Sequence, residues 1–493
     1  EEIGDYAFAS NVYLSNMELP DRINKISNGL FSGCHNLESV KMPAGIKSIE
    51  DEAFGGCGKL QRIVIPENTT SIGNRAFSWC FDLVSVIFND NLITIGDEAF
   101  SSCRSLTRVI IPESVTVIGD GVFYECTSLE NVKLSNNIIN IGDELFSGCK
   151  NLSEIKIPEK VTSIGNSAFR NCYNLTVVNI PDSVISIGEG AFKNCTGLSE
   201  ISIPMSVSDV QWNSFEGCIN LVSVNLPEGI LNIQGRAFKD CINLTNINIP
   251  ESVIFIEHGA FENCSSLEKL TIHNVEMYFA STTFNGCDNL TIYSYEGSEI
   301  ERYAKDYGIN FVSIGYTVYF EIPGRNDLSF SIGVLENGLI PVPEDPKVGG
   351  YTFLGWYKDR ELTILWDFEK DRVNSIITIF ANMDMINIEE LDNNSIIFKE
   401  KQIDIPLNKI WTIEFNYELD ISTVDETKVL VFDTRYGEFV PCKVYVHGNT
   451  ITIEPIWGKY RASNDYVLYV MSDIKSISGK TLENNVKMEF RTV

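Results

Sequence analysis

The hydrophobic positions of this chain repeat every 23 residues over more than half of its length. Each repeat contains the pattern L-x-x-V-x-I, for example Leu106, Val109 and Ile111. This pattern predicts a short strand with its apolar residues inward, because successive side chains of a strand point to opposite faces. Pro112 follows, and proline ends a strand because it cannot donate to the hydrogen-bond ladder. The periodicity therefore predicts one short strand per repeat.

Two more positions keep the same register ahead of each strand. A cysteine has a phenylalanine three residues before it and a leucine three residues after it. Phenylalanine and cysteine at this spacing share one face of a helical turn. The short polar residue after each glycine, such as Asp97, would cap that turn. The cysteines are Cys34, Cys57, Cys80, Cys103, Cys126, Cys149, Cys172, Cys195, Cys218, Cys241, Cys264 and Cys287. One such unit cannot bury its own apolar side, so the stacked units predict a solenoid.

The periodic cysteines allow a chemical and a structural interpretation. The chemical alternatives are metal binding and disulfides, and the structural one is a ladder of small apolar core residues. The sequence has no C-x-x-C pair and no histidine that recurs with the period, so zinc lacks a ligand set. Stacking would bring neighbouring cysteines within disulfide reach, yet pairing would distort a uniform stack. We therefore expect reduced thiols in the core.

The repeat I-G-x-x-A-F-x-x-C-x-x-L-x-x-V-x-I-P resembles the BspA-like class of bacterial leucine-rich repeats, over about residues 1–293. Residues 294–314 resemble that family's closing cap, in which residues 299–306 suit a short helix that Gly308 ends. The resemblance implies a secreted or surface protein that binds host or matrix proteins. We predict a leucine-rich repeat solenoid with its cap over residues 1–314.

Residues 315–385 and 386–493 are predicted to form two small β-domains. The segment G-Y-T-F-L-G-W-Y at 350–357 resembles the internalin B-type repeat, a β-grasp-like module. Its aromatic residues could pack the core or form a binding face. Strands are predicted at 411–415, 429–432, 443–446, 450–454, 466–470 and 486–490, with a hairpin turn at Gly448-Asn449. These suit an Ig-like β-sandwich, and the chain from Pro406 onward resembles bacterial Ig-like domains first known in S-layer proteins, which usually serve as spacers.

The predicted fold class is thus mainly β with short helical turns. The charge then limits the partners: 38 Lys+Arg against 67 Asp+Glu give a net charge of −29. Such a chain repels phosphate backbones and anionic lipid, so we expect neither nucleic acid nor a membrane surface as partner. The sequence has no apolar run long enough for membrane insertion. No signal segment opens it, but it begins in mid-repeat, so we expect part of a longer, extracellular or cell-surface protein.

The sequence shows no recognisable catalytic chemistry. Its four histidines belong to different repeats or domains, and none lies in an H-E-x-x-H, G-x-S-x-G or phosphate-binding context. The carboxylates are scattered, so no pair for glycoside hydrolysis stands out. We expect a protein that is not an enzyme and that needs no metal and no cofactor.

One predicted surface differs between the two halves of the solenoid. Residues two and four after each leucine should face outward on the concave side. In the C-terminal half they are mostly small and polar, whereas the N-terminal half has adjacent aliphatic residues flanked by cations. We call this set the basic–aliphatic patch, and it consists of Arg62, Val64, Ile87, Arg108, Ile110, Lys133 and Lys156. It predicts a protein-contact surface, although ordinary β-propensity on an open sheet is the alternative interpretation.

These features favour an adhesin-like binding protein. Its solenoid would contact a host or matrix protein or a cell-surface glycan, and its β-modules would hold the solenoid away from the cell wall. The alternatives are a structural surface-layer or cell-wall component without a dedicated ligand, and the non-catalytic part of a larger surface enzyme. Saturable binding would favour the first hypothesis, and self-association the second.

Overall fold

The computed structural model describes residues 2–493, which form two compact units. The first unit ends at Thr317 and the second comprises Val318–Val493. The sequence predicts three domains, and the contacts place both β-modules in the second unit. Each unit is described by itself below.

The first unit is a solenoid whose predicted strands form one row. Where strands of this row hydrogen-bond, they pair in parallel with partner residues one repeat apart, such as Arg62 opposite Ser85. The strands of this first row are Asn16–Glu18, Ser39–Lys41, Arg62–Val64, Ser85–Ile87, Arg108–Ile110, Asn131–Lys133, Glu154–Lys156, Val177–Asn179, Glu200–Ser202, Ser223–Asn225, Asn246–Ile247 and Lys269–Thr271. The middle residue of each longer strand points into the core, as Ile63 and Val109 show.

A second row of two-residue strands was not predicted. A strand of two residues cannot display a period of two, so hydrophobic periodicity could not reveal it. Its second residue is buried in most repeats, for example Ile72. The strands of this row are Lys25–Ile26, Ser48–Ile49, Ser71–Ile72, Thr94–Ile95, Val117–Ile118, Asn140–Ile141, Ser163–Ile164, Ser186–Ile187, Asp209–Val210, Asn232–Ile233, Phe255–Ile256 and Tyr278–Phe279.

The periodic phenylalanines form one continuous stack through the solenoid core. From Phe8 to Phe284, each ring lies nearly parallel to the ring of the next repeat, with centroids 5.0–6.1 Å apart. The rings between these two ends are fully buried. Burial of aromatic rings contributes strongly to a core, so the stack links every repeat to its neighbours. The predicted register is confirmed.

The periodic cysteines lie beside this stack, and each thiol donates a hydrogen bond to a phenylalanine carbonyl. The Sγ atom of Cys126 lies 3.2 Å from the carbonyl oxygen of Phe100, and that of Cys149 lies 3.1 Å from that of Phe123. All thirteen cysteines are buried and unpaired in the structure, so their predicted core location is confirmed. Burial raises the pKa of the Cys126 thiol to about 12, which keeps it protonated near neutral pH.

The polar residue after each glycine has a different role from the predicted one. Asp97 Oδ1 accepts a hydrogen bond from the backbone N–H of Asp120, one repeat later, at 3.0 Å. Within its own turn, the N–H of Glu98 is already engaged with the Asp120 carbonyl at 2.7 Å. The prediction that Asp97 and its equivalents cap their own turns is therefore wrong. Because the repeats stack in register, these side chains join adjacent repeats instead.

A cap closes the C-terminal end of the solenoid. Strand β1 (Thr291–Glu296) is followed by helix α1 (Glu299–Tyr307), where the Ser298 side chain accepts from the N–H of Glu301 and Gly308 ends the helix at φ 69°. The Tyr303 ring packs 4.8 Å from the Phe279 ring and covers the last repeat. The predicted helix and its stop are confirmed. Strand β2 (Asn310–Glu321) follows, and the predicted boundary at 314/315 lies inside it.

The second unit begins with the end of β2 and a small β-module. The further strands of this module are β3 (Phe330–Leu335), β4 (Gly338–Leu339), β5 (Tyr351–Tyr357), β6 (Arg372–Val373) and β7 (Ile377–Met385). β7 lies between the end of β2, which is parallel to it, and β5, which is antiparallel to it. Trp356 is buried, and its ring meets those of Phe320 and Phe353 edge-on. The core interpretation of this aromatic motif therefore holds for Trp356.

The rest of the unit is an Ig-like sandwich preceded by the short helix α2 (Ile388–Asn393). The strands are β8 (Ser395–Ile397), β9 (Gln402–Ile405), β10 (Trp411–Glu414), β11 (Val429–Asp433), β12 (Glu438–Val440), β13 (Cys442–His447), β14 (Thr450–Pro455), β15 (Asp465–Val470) and β16 (Asn485–Thr492), with a 3₁₀ turn at Ile421–Thr423. One sheet has the order β16-β15-β11-β12, with β8 and β9 also paired to β16, and the other has the order β10-β14-β13. All six predicted strands are present.

Two glycines allow the β-module to pack closely on the sandwich. A Cβ atom on Gly349 would lie 2.5 Å from the carbonyl oxygen of Glu426, and one on Gly350 would lie 2.1 Å from the Phe439 ring. The buried Arg325 side chain ion-pairs with Glu426 across the same junction at 2.9 Å. The junction is therefore built from close backbone contacts and a buried charge pair.

Gly350→Ala should destabilise this unit by about 2–4 kcal/mol, because a side chain would be strained at φ +83° and would overlap Phe439. Urea unfolding followed by tryptophan fluorescence measures the effect. Gly479→Ala is the matched control, since Gly479 has a similar φ of +80° but open space around it. Equal losses in both variants would show that the close contact at Phe439 does not matter.

Candidate functional site

The basic–aliphatic patch lies on five consecutive strands of the first row, from Arg62–Val64 to Glu154–Lys156. Adjacent strands of a sheet are about 4.8 Å apart. The middle residue of each strand faces the core, so the first and third residues face outward. The structure therefore brings all seven residues of the predicted patch onto one surface.

The centre of the patch is aliphatic and open to solvent. The exposed fractions of Val64, Ile87 and Ile110 are 52%, 43% and 49%. Val64 lies directly opposite Ile87 in the parallel pairing, and Ile110 is the equivalent residue of the next repeat. Three neighbouring β-branched side chains thus form an apolar ridge that no other part of the first unit covers.

The cations around this ridge differ in their pairing. Lys133 Nζ lies 3.7 Å from Glu113 Oε1, a solvent-exposed contact that contributes little. Arg62, Arg108 and Lys156 are exposed and make no ion pair among the described residues. The patch therefore keeps three positive charges available on a strongly negative chain.

Three exposed apolar residues in the repeat of Ile87 were not predicted from the sequence. Trp79, Phe81 and Val84 precede that residue's strand, and all three are exposed. The guanidinium of Arg104 lies over the Phe81 ring, 5.1 Å from its centroid. A position-by-position comparison would have found Trp79, because the equivalent residues include Gly33, Gly56 and Ser102. The apolar surface of this repeat is thus larger than predicted.

A cavity of about 580 Å³ in the second unit was also not predicted. Val348, Met383 and Phe439 line it, and the exposed Trp457 also contributes to its lining. Arg461 in its wall is already paired with Asp433 and Glu438, at 3.0 and 2.6 Å. The cavity has apolar walls with a paired arginine, which favours packing contacts over proton-transfer chemistry.

The four histidines are exposed, and His35 bonds to the backbone carbonyl of Gly56 at 2.9 Å. Among residues 2–493, no three His, Cys, Asp or Glu side chains are grouped so that they could hold a metal ion. No helix in the same range is long and apolar enough to cross a membrane.

The chain belongs to the BspA-type leucine-rich repeat family. The family model matches in overlapping copies at residues 1–130, 47–176, 116–242 and 162–291. The Listeria-Bacteroides repeat domain matches residues 316–382, and a bacterial Ig-like domain matches residues 394–492. Membership of this family indicates an extracellular, protein-binding role. Leucine-rich repeats and Ig-like domains are typically non-catalytic.

Two solved structures of leucine-rich repeat proteins are similar to this chain. A leucine-rich repeat protein from Bacteroides ovatus is 28% identical, with 62% of this chain and 92% of that chain covered and a TM-score of 0.47. A leucine-rich cell surface protein from Faecalibacterium prausnitzii is 30% identical, with 52% and 87% covered and a TM-score of 0.33.

Among curated proteins, one from Evansella cellulosilytica named "Putative membrane protein" is 35% identical over 74 residues, which is 15% of this chain and 11% of that protein. A second from the same organism, "Putative Gly-rich membrane protein", is 36% identical over 70 residues, which is 14% of this chain and 8% of that protein. The chain thus spans about a tenth of the length of the curated relatives it matches.

Proposed function

We propose that this chain is an adhesin-like binding protein, secreted or held at the bacterial cell surface. The solenoid contacts a host or matrix protein, or a cell-surface glycan, and the β-modules serve as non-catalytic spacers that associate with the cell wall. The observation that supports this function most directly is the exposed ridge of Val64, Ile87 and Ile110. A contact surface needs an apolar centre surrounded by polar groups, and the patch has that composition.

The test is a binding panel with the full chain. Immobilised matrix proteins and cell-surface glycans are titrated with the purified protein by biolayer interferometry. Saturable binding to at least one of them by a monomeric protein is the expected result. A failure to saturate any probe would contradict the proposal.

A structural surface-layer component is the second candidate. The edge strands β8 and β9 of the sandwich expose Ile396, Ile397 and Ile403, and an exposed apolar edge strand is a template for pairing with another chain. Sedimentation velocity of the same preparation separates the two candidates. Concentration-dependent assembly without saturable binding would favour the structural candidate.

A further inference from the structure

We propose that the basic–aliphatic patch recognises an acidic polypeptide that also carries apolar side chains. This inference rests on the proposed function and names the chemistry of the partner. It starts from a positively charged surface on a chain whose net charge is −29.

The outward positions of the five patch strands carry four cations and one acid, Glu154, so their net charge is 4 − 1 = +3. The ten outward residues are Arg62, Val64, Ser85, Ile87, Arg108, Ile110, Asn131, Lys133, Glu154 and Lys156. A positive surface on a negative protein attracts acidic partners, and it repels the same surface of a second copy.

Three of the four cations have no ion-pair partner among residues 2–493, so their charge is available to a binding partner. The other cations in the outward rows are engaged: Lys41 pairs with Glu18, Lys133 approaches Glu113, and Lys269 lies over the Tyr293 ring. Arg62, Arg108 and Lys156 have no such partner among residues 2–493. Carboxylates of a bound partner could therefore pair with these three side chains without displacing an existing ion pair.

The geometry requires a chain rather than a single anion. Arg62 and Arg108 lie two strands apart, about 10 Å, and Lys156 lies two strands beyond Arg108. One carboxylate cannot span these distances, whereas acidic residues spread along a polypeptide can.

The apolar ridge favours a polypeptide over an anionic glycan. Val64 and Ile110 share their strands with Arg62 and Arg108, and Ile87 lies on the strand between them. These three aliphatic side chains gain from burial under apolar side chains of a partner. A sulfated glycan offers charge but little apolar surface. Aliphatic or aromatic side chains between acidic ones match both parts of the patch.

The test uses copolymers of known composition as probes. The protein of 493 residues is immobilised, and the binding of poly(Glu,Tyr), poly-Glu, poly(Lys,Tyr) and heparin is measured by biolayer interferometry at low and high salt. We expect poly(Glu,Tyr) to bind most tightly, with an association rate that falls as salt rises because of charge screening. The triple variant Arg62→Glu/Arg108→Glu/Lys156→Glu should weaken this binding by roughly tenfold or more.

The matched control reverses three exposed cations outside the two outward rows: Lys47→Glu/Lys150→Glu/Arg170→Glu. It changes the net charge equally and should keep poly(Glu,Tyr) binding within about twofold, since its sites lie outside the patch. Equal losses in both triple variants would overturn the inference, because they would show a general charge effect. Heparin binding as tight as that of poly(Glu,Tyr) and unaffected by Ile87→Ala/Ile110→Ala would also overturn it.

The two proposals fail in different ways. If a matrix protein binds through Ile87 and Ile110 but the charge reversals have no effect, the proposed function stands and the acidic partner is rejected. If no panel probe saturates, the proposed function itself fails. Circular dichroism spectra that match the unmodified protein establish that each variant is folded.

Discussion

Replacing Phe146 with alanine should lower the free energy of unfolding of the solenoid by about 3–5 kcal/mol. The Phe146 ring is fully buried, with the rings of Phe123 and Phe169 at 5.7 and 5.5 Å on either side. Truncation removes both ring contacts and leaves a cavity at the middle of the stack. Each repeat of a solenoid contacts only its neighbours, so the loss weakens the two interfaces of that repeat.

Urea unfolding followed by circular dichroism measures this loss. Phe81→Ala is the matched control, because Phe81 has the same side chain in the same solenoid but is exposed. Its expected cost is below about 1 kcal/mol, as for most surface substitutions. A similar loss in both variants would contradict the stacked core.

The solenoid should also unfold at alkaline pH, because its buried thiols resist ionisation. Burial raises the pKa of the thiols of Cys80, Cys126 and Cys218 to about 12, against about 8.5 in an unfolded chain. Above that unfolded value the unfolded state holds fewer protons than the folded one. Stability therefore falls as pH rises, by up to about 1.4 kcal/mol per pH unit for each buried thiol.

Twelve repeats carry a buried thiol, and each thiol adds to the fall in the free energy of unfolding per pH unit. We therefore expect a steep unfolding transition between about pH 9 and 11. The measurement is circular dichroism against pH under a reductant, with return to neutral pH as the check of reversibility. A variant with Cys126, Cys149, Cys172 and Cys195 replaced by alanine should show a shallower pH dependence. An identical slope in that variant would show that thiol ionisation is not the cause.

The sequence predicts the solenoid well because its repeats constrain each other. Phenylalanine, cysteine and leucine keep one spacing through the repeats, and only stacking can bury all of them. The polar ladder through Asp97 and Asp120 could not be predicted in the same way. Its hydrogen bonds join residues one repeat apart, whereas capping rules consider only neighbours within one turn.

The candidate site could be predicted only in part. Strand alternation was enough to place Val64, Ile87 and Ile110 outward, because their neighbours Ile63 and Val109 fit the core pattern. Trp79 and Phe81 were missed because they lie in turns, where exposure depends on the fold. Only a comparison of equivalent positions between repeats distinguishes Trp79. The ion pairs of the cations could also not be predicted from the sequence, because Glu113, which contacts Lys133, lies in a different repeat.

Two modules in the second unit show a related limit. The motif at residues 350–357 predicted a strand, but the contact of Gly350 with Phe439 depends on a residue about ninety positions away. Strands β8 and β9 have no clear alternation and pair in parallel with β16. Long-range pairing of this kind leaves no trace in the local pattern of hydrophobic positions.

The most direct test of the account compares two pairs of isoleucines. Ile87→Glu/Ile110→Glu places charge on the basic–aliphatic patch, and Ile139→Glu/Ile185→Glu places it at two other exposed isoleucines of the solenoid, outside the patch. Burial of the three half-exposed aliphatic side chains of the patch should contribute about 2–4 kcal/mol to the free energy of binding. Affinity of the patch variant for the matrix protein that saturates in the panel should therefore fall by about 30-fold or more, while the control variant binds as before. Unchanged binding of the patch variant, or equal losses in both, would contradict the claim that this surface is the contact site.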